Sequence, residues 1–408
     1  MPESESKRKI PGQRKPPEKK LESKLKFKPA SKPASAPEKR RAASVATVPI
    51  PPRIKAVRAL MSEQQCTHAL VTDPVDVEYI SGFRSSNATL LISAARLELF
   101  TDFRYKEAAQ EFCQSNDRWK FTLIEESGFK FLKKKFRSGA AVGIQSDAVT
   151  IDRCQDLERV LPPSAEIVAL SSDISDIAIQ KFEKEIASMK AAANIADKAL
   201  EALMPLIKKP VTELELARLL EGLCAENGSE KPAFDTIVLF GERSALPHGQ
   251  PGDRELAAGD FVLIDFGCTV NGFRSDMTRT FVYGKASDEQ RRIYNAVLRA
   301  QRCACMAARA GMTCVELDST ARSAIDESGY GNFFGHATGH GIGLRVHERP
   351  RVNKDVDTVL LENSVVTIEP GIYLPDTGGV RIEDMAVLQR NGAEIITQSP
   401  RKLLELPI

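Results

Sequence analysis

Four of the five histidines in the 408-residue chain, His248, His336, His340 and His347, lie in its second half, alongside acidic residues set into apolar runs. Asp265 follows Phe261-Val262-Leu263-Ile264, and Asp276 opens the next apolar run eleven residues later. Glu369 follows Val365-Val366-Thr367-Ile368, and Glu383 follows Val380-Arg381-Ile382. A single acid of this kind is ordinarily a strand end at the surface. Four of them, with histidines nearby, point instead to buried carboxylates, which are costly unless paired or bound to metal. The fifth histidine, His68, sits beside an apolar strand, where a bland role is expected.

The elements that position these residues follow from local pattern. Asn271-Gly272 lies between Asp265 and Asp276, so a hairpin can bring the two carboxylates together across neighbouring strands. Upstream, apolar residues recur at helical spacing from Asp176 to Lys209 and stop at Pro210; Thr212, followed by Glu215, caps the next helix. Residues 53–173 alternate helical and strand-like runs, with a hairpin at ATLLIS and LELFT and helices at YKEAAQEFCQ, FKFLKKKF and DRCQDLERVL. The chain divides into a tail at 1–52, an α/β domain at 53–173 and a second domain at 174–408. The glycines of GHGIG are not a phosphate loop, which needs a strand, a turn and a helix with Lys-Ser/Thr. They read as points of close backbone approach.

Composition sets the wider bounds. The net charge of +2 conceals an uneven distribution: residues 1–52 hold 14 Lys/Arg against 5 Glu, leaving 43 basic against 50 acidic residues in the rest. Ten of the 23 prolines also fall in that tail, which reads as disordered. A nucleic-acid contact through it is the less favoured reading; a solvated tail is the favoured one. No apolar run approaches a membrane span and no secretory h-region is visible. The eight scattered cysteines read as reduced thiols in a cytoplasmic protein.

The motifs Pro247-His248-Gly249, IDFG with Asp265, SDMTRT with Asp276, HATGHGIGLRVHERP over 336–350, TIEPG with Glu369 and RIEDM with Glu383 together resemble the pita-bread metallopeptidases. That family includes methionine aminopeptidase, aminopeptidase P, prolidase and creatinase. The ISGF and LFTDFRY stretches look like the first domain of the proline-specific branch. The resemblance implies an α/β N-terminal domain followed by an α+β catalytic domain with a mostly antiparallel curved sheet. It implies metal ligands Asp265, Asp276, His340, Glu369 and Glu383 for two divalent ions, Mn first and Co or Zn as alternatives, a set whose hard oxygen donors suit such ions. It implies attack by a metal-activated hydroxide, with Glu369 relaying the proton and His248 and His347 contacting the substrate carbonyl. His336 would face the substrate or support the site, and Arg381 would pair with a ligand carboxylate or orient the substrate.

Within the family, the first expectation is an aminopeptidase P-like enzyme that removes the residue ahead of a proline at the second position. Alternatives are a prolidase restricted to Xaa-Pro dipeptides and a non-catalytic binding protein on the same scaffold; the complete ligand set disfavours the last. A dimer or larger homo-oligomer is also implied, and no membrane partner is expected from the lack of a spanning apolar run. One departure is Arg345, two residues before His347, where the family often has an acid.

Overall fold

The computed structural model describes residues 50–170 and 173–408, so the tail expectation lies almost wholly outside the described residues. The first domain carries one mixed sheet of six strands: β1 (His68–Val71), β2 (Ala88–Ser93), β3 (Leu97–Thr101), β4 (Trp119–Leu123), β5 (Ala141–Ile144) and β6 (Glu166–Ala169), in the order β4-β3-β2-β1-β5-β6. The ATLLIS and LELFT segments form the expected antiparallel hairpin. Alternate residues along a strand face opposite sides, and here both sides are buried. Ala69, Val71, Leu90 and Ile92 pack under the helix α1 (Pro52–Glu63), whereas Leu70 and Leu91 pack against Leu132 and Leu157. Helices α2 (Pro74–Ser81), α3 (Lys106–Ser115), α4 (Ile151–Val160) and the short α5 (Asp173–Asp176) complete the domain. The FKFLKKKF segment is a single 3-10 turn at Lys130–Leu132, not an α-helix; Phe129 and Leu132, three residues apart, both enter the core.

The second domain opens with α6 (Glu183–Leu203) and α7 (Glu213–Glu226). Helix α6 starts later than its apolar periodicity suggests because Gln180 is drawn into a bridge with Ser364 and Lys181 into an ion pair with Glu348. Thr212 and Glu215 form the expected capping box on α7. Both helices cover a sheet in which β7 (Ile237–Phe240), β8 (Phe261–Phe266) and β11 (Met277–Tyr283) pair antiparallel, linked by the small hairpin β9 (Thr269–Val270) and β10 (Phe273–Arg274). Asn271 and Gly272 both have positive φ at that turn, as a tight two-residue hairpin requires. Val262, Ile264 and Phe266 of β8 face the helices, so period-2 alternation sends Asp265 to the opposite face.

Helices α8 (Asp288–Ala307) and α9 (Cys314–Glu327) pack against a second group of strands. These are β12 (Gly339–Gly341), β13 (Glu348–Val352), β14 (Val365–Ile368), β17 (Asp384–Gln389) and β18 (Gly392–Ile395), all paired antiparallel. The hairpin of β15 (Gly371–Leu374) with β16 (Gly378–Arg381) lies between them in sequence, and β19 (Glu405–Leu406) joins β11 in parallel. Antiparallel pairing thus predominates in this domain, as expected. No helix among the described residues is long and apolar enough to cross a membrane, and all eight cysteines are free thiols.

Two glycines test how tightly the scaffold is packed. A Cβ on Gly267, just past β8, would lie 1.9 Å from the Ser275 carbonyl oxygen, whereas one on Gly222 within α7 would meet nothing within 4 Å. Gly267→Ala is expected to cost about 1–3 kcal/mol by overpacking. Gly222→Ala should gain about 0.5–1 kcal/mol of helix stability. Denaturant unfolding of both variants checks the contrast, and equal effects would contradict this packing.

Candidate metal centre

The carboxylates converge because three separate strand pairings bring their ends to one place. Asp265 lies opposite Thr278 in the β8–β11 register, and Asp276 immediately precedes β11. Glu383 immediately precedes β17, its backbone N–H donating to the Thr278 carbonyl at 3.1 Å. Glu369 follows β14, and its backbone N–H donates to the Thr338 carbonyl at 2.8 Å. His340 enters on β12, where its N–H donates to Thr367 Oγ1 at 3.0 Å. Single donor atoms of Asp276, His340 and Glu383 lie within 4.8 Å of one another, and His340 Nε2 is 3.5 Å from Glu369 Oε1. All five expected ligand residues line one cavity of about 950 Å³ with His248, His336, His347 and Arg381.

Charge makes this arrangement unstable by itself. Burial, then the neighbouring Glu383, pushes the Asp276 carboxyl well up; burial, then Glu369, does the same to Glu383. Burial raises Glu369 to about 8, against the opposing pull of Arg381. His340 offers no compensating positive charge, since burial pushes its imidazole down to about 4. Its Nδ1 lies 3.0 Å from the Gly341 carbonyl. A carbonyl can only accept, so Nδ1 carries the hydrogen and the Nε2 lone pair is turned toward Asp276 and Glu369. A lone pair aimed at ionised carboxylates is repelled unless a cation or a carboxyl proton lies between them. Asp265 Oδ1 is likewise buried with no hydrogen-bond partner. Four carboxylates, one oriented imidazole and this orphaned oxygen fit divalent metal ions.

Arg381 is the internal counter-charge. Its guanidinium, on a residue 3% exposed, donates to Asp265 Oδ2 at 2.5 Å, to Thr278 Oγ1 at 3.0 Å and to the Tyr373 hydroxyl at 2.8 Å. Of the two roles expected for it, the pairing with Asp265, one of the expected ligands, is the one visible here. Thr278 in turn donates to Glu383 Oε2 at 2.6 Å. Tyr373 was not legible in the sequence motifs; its hydroxyl lies 3.0 Å from His336 Nε2, while His336 Nδ1 meets the Ala337 carbonyl at 2.8 Å. Both ring nitrogens of His336 are therefore engaged within the protein. Beneath the cage, the fully buried pair Arg279–Asp384 ties β11 to β17, and Arg279 also donates to the Glu383 carbonyl at 2.5 Å.

His248 and His347 are exposed on the cavity wall. Arg351, a second residue outside the recognised motifs, also lines it. It lies directly opposite His340 in the β12–β13 register, so both side chains share one face. The only signal for it was alternation within β13, where Pro350 and Val352 are buried and Arg351 is exposed. Among the described residues its side chain makes no hydrogen bond or ion pair.

Comparison with known proteins agrees with this geometry. Residues 187–390 match the metallopeptidase family M24, and residues 53–177 match the creatinase/prolidase N-terminal domain. The chain belongs to metallopeptidase family M24. Among similar M24 proteins, an Xaa-Pro dipeptidase of Pyrococcus furiosus is 38% identical over 86% of this chain and 99% of its own length. The solved structure of an Xaa-Pro dipeptidase from Bacillus anthracis superposes with a TM-score of 0.83 at 36% identity, covering 87% of this chain and 99% of that one. An X-Pro aminopeptidase from Thermotoga maritima MSB8 gives 0.77 at 35% identity, covering 87% and 99%. The pita-bread fold of the M24 catalytic domain is thus present, preceded by the N-terminal domain of the proline-specific branch.

The raised carboxyl groups have a measurable consequence in metal-free protein. A carboxyl whose pKa is higher folded than unfolded contributes its stability fully below the unfolded value and loses it as pH rises through the folded value. For Glu369 that window runs from about 4.5 to about 8. Added divalent metal should therefore raise Tm more near the top of this window than near its bottom, and should release protons on binding at neutral pH. Calorimetric titration in two buffers of different ionisation enthalpy measures the release; a Tm gain independent of pH with no proton release would contradict the account.

Proposed function

We propose that the chain is an Xaa-Pro dipeptidase, rather than the aminopeptidase P-like enzyme that its motifs first suggested. The observation carrying this reading is Arg351, a cation without a side-chain partner on the wall of the metal cavity, opposite His340. A dipeptide places its free carboxylate one residue from the scissile bond, and a guanidinium on the wall of the same cavity would recognise it. The printed names of the Pyrococcus furiosus and Bacillus anthracis relatives support the same choice. The Thermotoga maritima relative keeps Xaa-Pro aminopeptidase activity as the second reading. The intact donor set counts against a non-catalytic binding protein. The division at residues 173/174, a cytoplasmic location and a homo-oligomeric state belong to the same proposal.

In this reading Asp265, Asp276, His340, Glu369 and Glu383 would hold two divalent ions, for which the oxygen-rich set favours Mn, with Co and Zn as alternatives. Such ions, when bound, polarise a carbonyl and lower the pKa of water. The chain's own groups supply the rest. Glu369 takes a proton and returns it to the departing nitrogen. That return matters because a peptide nitrogen of proline carries no hydrogen and can leave as an amine only once protonated. His347 and His248 donate hydrogen bonds to the carbonyl oxygen as it gains charge. Arg381 holds Asp265 and Tyr373 in place, His336 steadies Tyr373, and Arg351 orients the substrate through its carboxylate.

Two experiments test this. Purified protein with Mn is expected to hydrolyse Xaa-Pro dipeptides but not Xaa-Pro-Xaa tripeptides or C-terminally amidated Xaa-Pro, and Arg351→Gln should raise KM for the dipeptide by about tenfold or more with little change in kcat. Tripeptide turnover at equal efficiency would favour the aminopeptidase. Glu369→Gln should lower kcat by at least about a hundredfold while the folded protein keeps its circular dichroism; near-normal turnover would remove Glu369 from the proton path.

A further inference from the structure

The loop that presents His347 is held by the first domain. The imidazole of His347 makes no hydrogen bond among the described residues and rests edge-on against His340, ring centroids 4.5 Å apart. Its direction therefore depends on the backbone on either side of it. The β12–β13 register slips between His340 and Gly341, and the connection between the strands combines a few backbone bonds with side-chain support. Leu344 N donates to the Tyr79 hydroxyl at 2.8 Å and Arg345 N to Glu348 Oε1 at 2.9 Å. Glu348 also accepts from Tyr79 at 2.7 Å and from the buried Lys181 at 3.0 Å. Arg274 secures the residues before these, donating from its N–H to the Gly343 carbonyl and from Nε to the Leu344 carbonyl.

Arg345 extends this contact to the start of α2. Its Nη1 donates to Asp76 Oδ1 at 3.0 Å and its Nη2 to Asp73 Oδ1. Both acceptors are held ready. Asp73 caps α2, accepting from Val75 N at 2.9 Å and Asp76 N at 3.1 Å. Asp76 is 2% exposed, and its other oxygen accepts from Gln145 Nε2 at 2.6 Å and Ser175 Oγ at 3.1 Å. Burial pushes the Asp76 carboxyl up, and Arg345 is the strongest opposing influence. A buried carboxylate of this kind holds its cation firmly, because losing the partner would leave it uncompensated.

We infer that Arg345 is a positioning residue: by clamping the segment before His347 onto Asp73 and Asp76 of the first domain, it fixes the imidazole that meets the substrate carbonyl. Turnover in the second domain then depends on an ion pair to the first. The kinetic part of the inference rests on the substrate-facing role proposed for His347; the clamp itself does not.

The test compares Arg345→Ala, His347→Ala and the double variant in the full chain with Mn, using an Xaa-Pro dipeptide. Arg345→Ala is expected to lower kcat by about tenfold to a hundredfold, the scale set by misplacing a reacting group, with KM changing much less and bound metal unchanged. Arg345→Lys should recover part of the loss. In the His347→Ala background the effect of Arg345→Ala should largely disappear; an equal loss in both backgrounds would overturn the positioning role. Asp73→Asn, which leaves Arg345 paired to Asp76, provides a milder variant should Arg345→Ala fold poorly, and its loss should show the same dependence on His347. Hydrogen exchange by mass spectrometry reads the clamp without any substrate: exchange over 343–348 should quicken in Arg345→Ala while that around Asp265 stays as in the wild type. Unchanged exchange would overturn the clamp even if turnover fell. Absence of Xaa-Pro hydrolysis by the wild type, with exchange quickened as expected, would instead count against the proposed function.

Discussion

Four carboxylates share one cavity, and their mutual repulsion is the constraint on which the rest of the structure depends. Bringing such charges out of water costs several kcal/mol apiece, and a fold tolerates this only with counter-charge and rigid support. Arg381 supplies the internal counter-charge through Asp265. Its pull does not offset burial across the cage: Asp276, Glu369 and Glu383 remain displaced toward the protonated form, and the His340 lone pair is turned toward the carboxyl groups. Divalent cations held by these residues would relieve all of these at once.

The scaffold explains why the cage does not open to relieve its own strain. Asp265 and Asp276 are carried by adjacent strands, Glu383 is bonded through its backbone to Thr278, and Arg279 with Asp384 locks the layer beneath. Movement of one ligand would therefore disturb a buried ion pair or a strand ladder, each more costly than local repulsion. The cavity wall is built differently. His248 and His347 sit on loops, and the His347 loop takes much of its support from the first domain.

The legible parts of the molecule were those written locally. The Asn271-Gly272 turn fixes a hairpin by backbone conformation alone, which is why the meeting of Asp265 and Asp276 could be read from eleven residues of sequence. The Thr212 and Glu215 cap is equally local. What escaped depends on distant partners. Tyr373 acquires its place only when Arg381 and His336 arrive, Arg351 only when β13 is registered against β12, and Arg345 only when residues some 270 positions earlier fold beside it. The late start of α6 has the same origin, since tertiary partners of Gln180 and Lys181 outweigh helical periodicity. The choice between dipeptidase and aminopeptidase was harder still, because both activities use the same motifs and differ in what lies beyond the scissile bond.

The central claim, that the buried carboxylates form a cage completed by two divalent ions, is tested most directly by anomalous diffraction from crystals of the Mn-loaded protein. The account predicts two strong anomalous peaks per chain, enclosed by Asp265, Asp276, His340, Glu369 and Glu383. A single peak, or peaks lying elsewhere while the protein remains active, would contradict it.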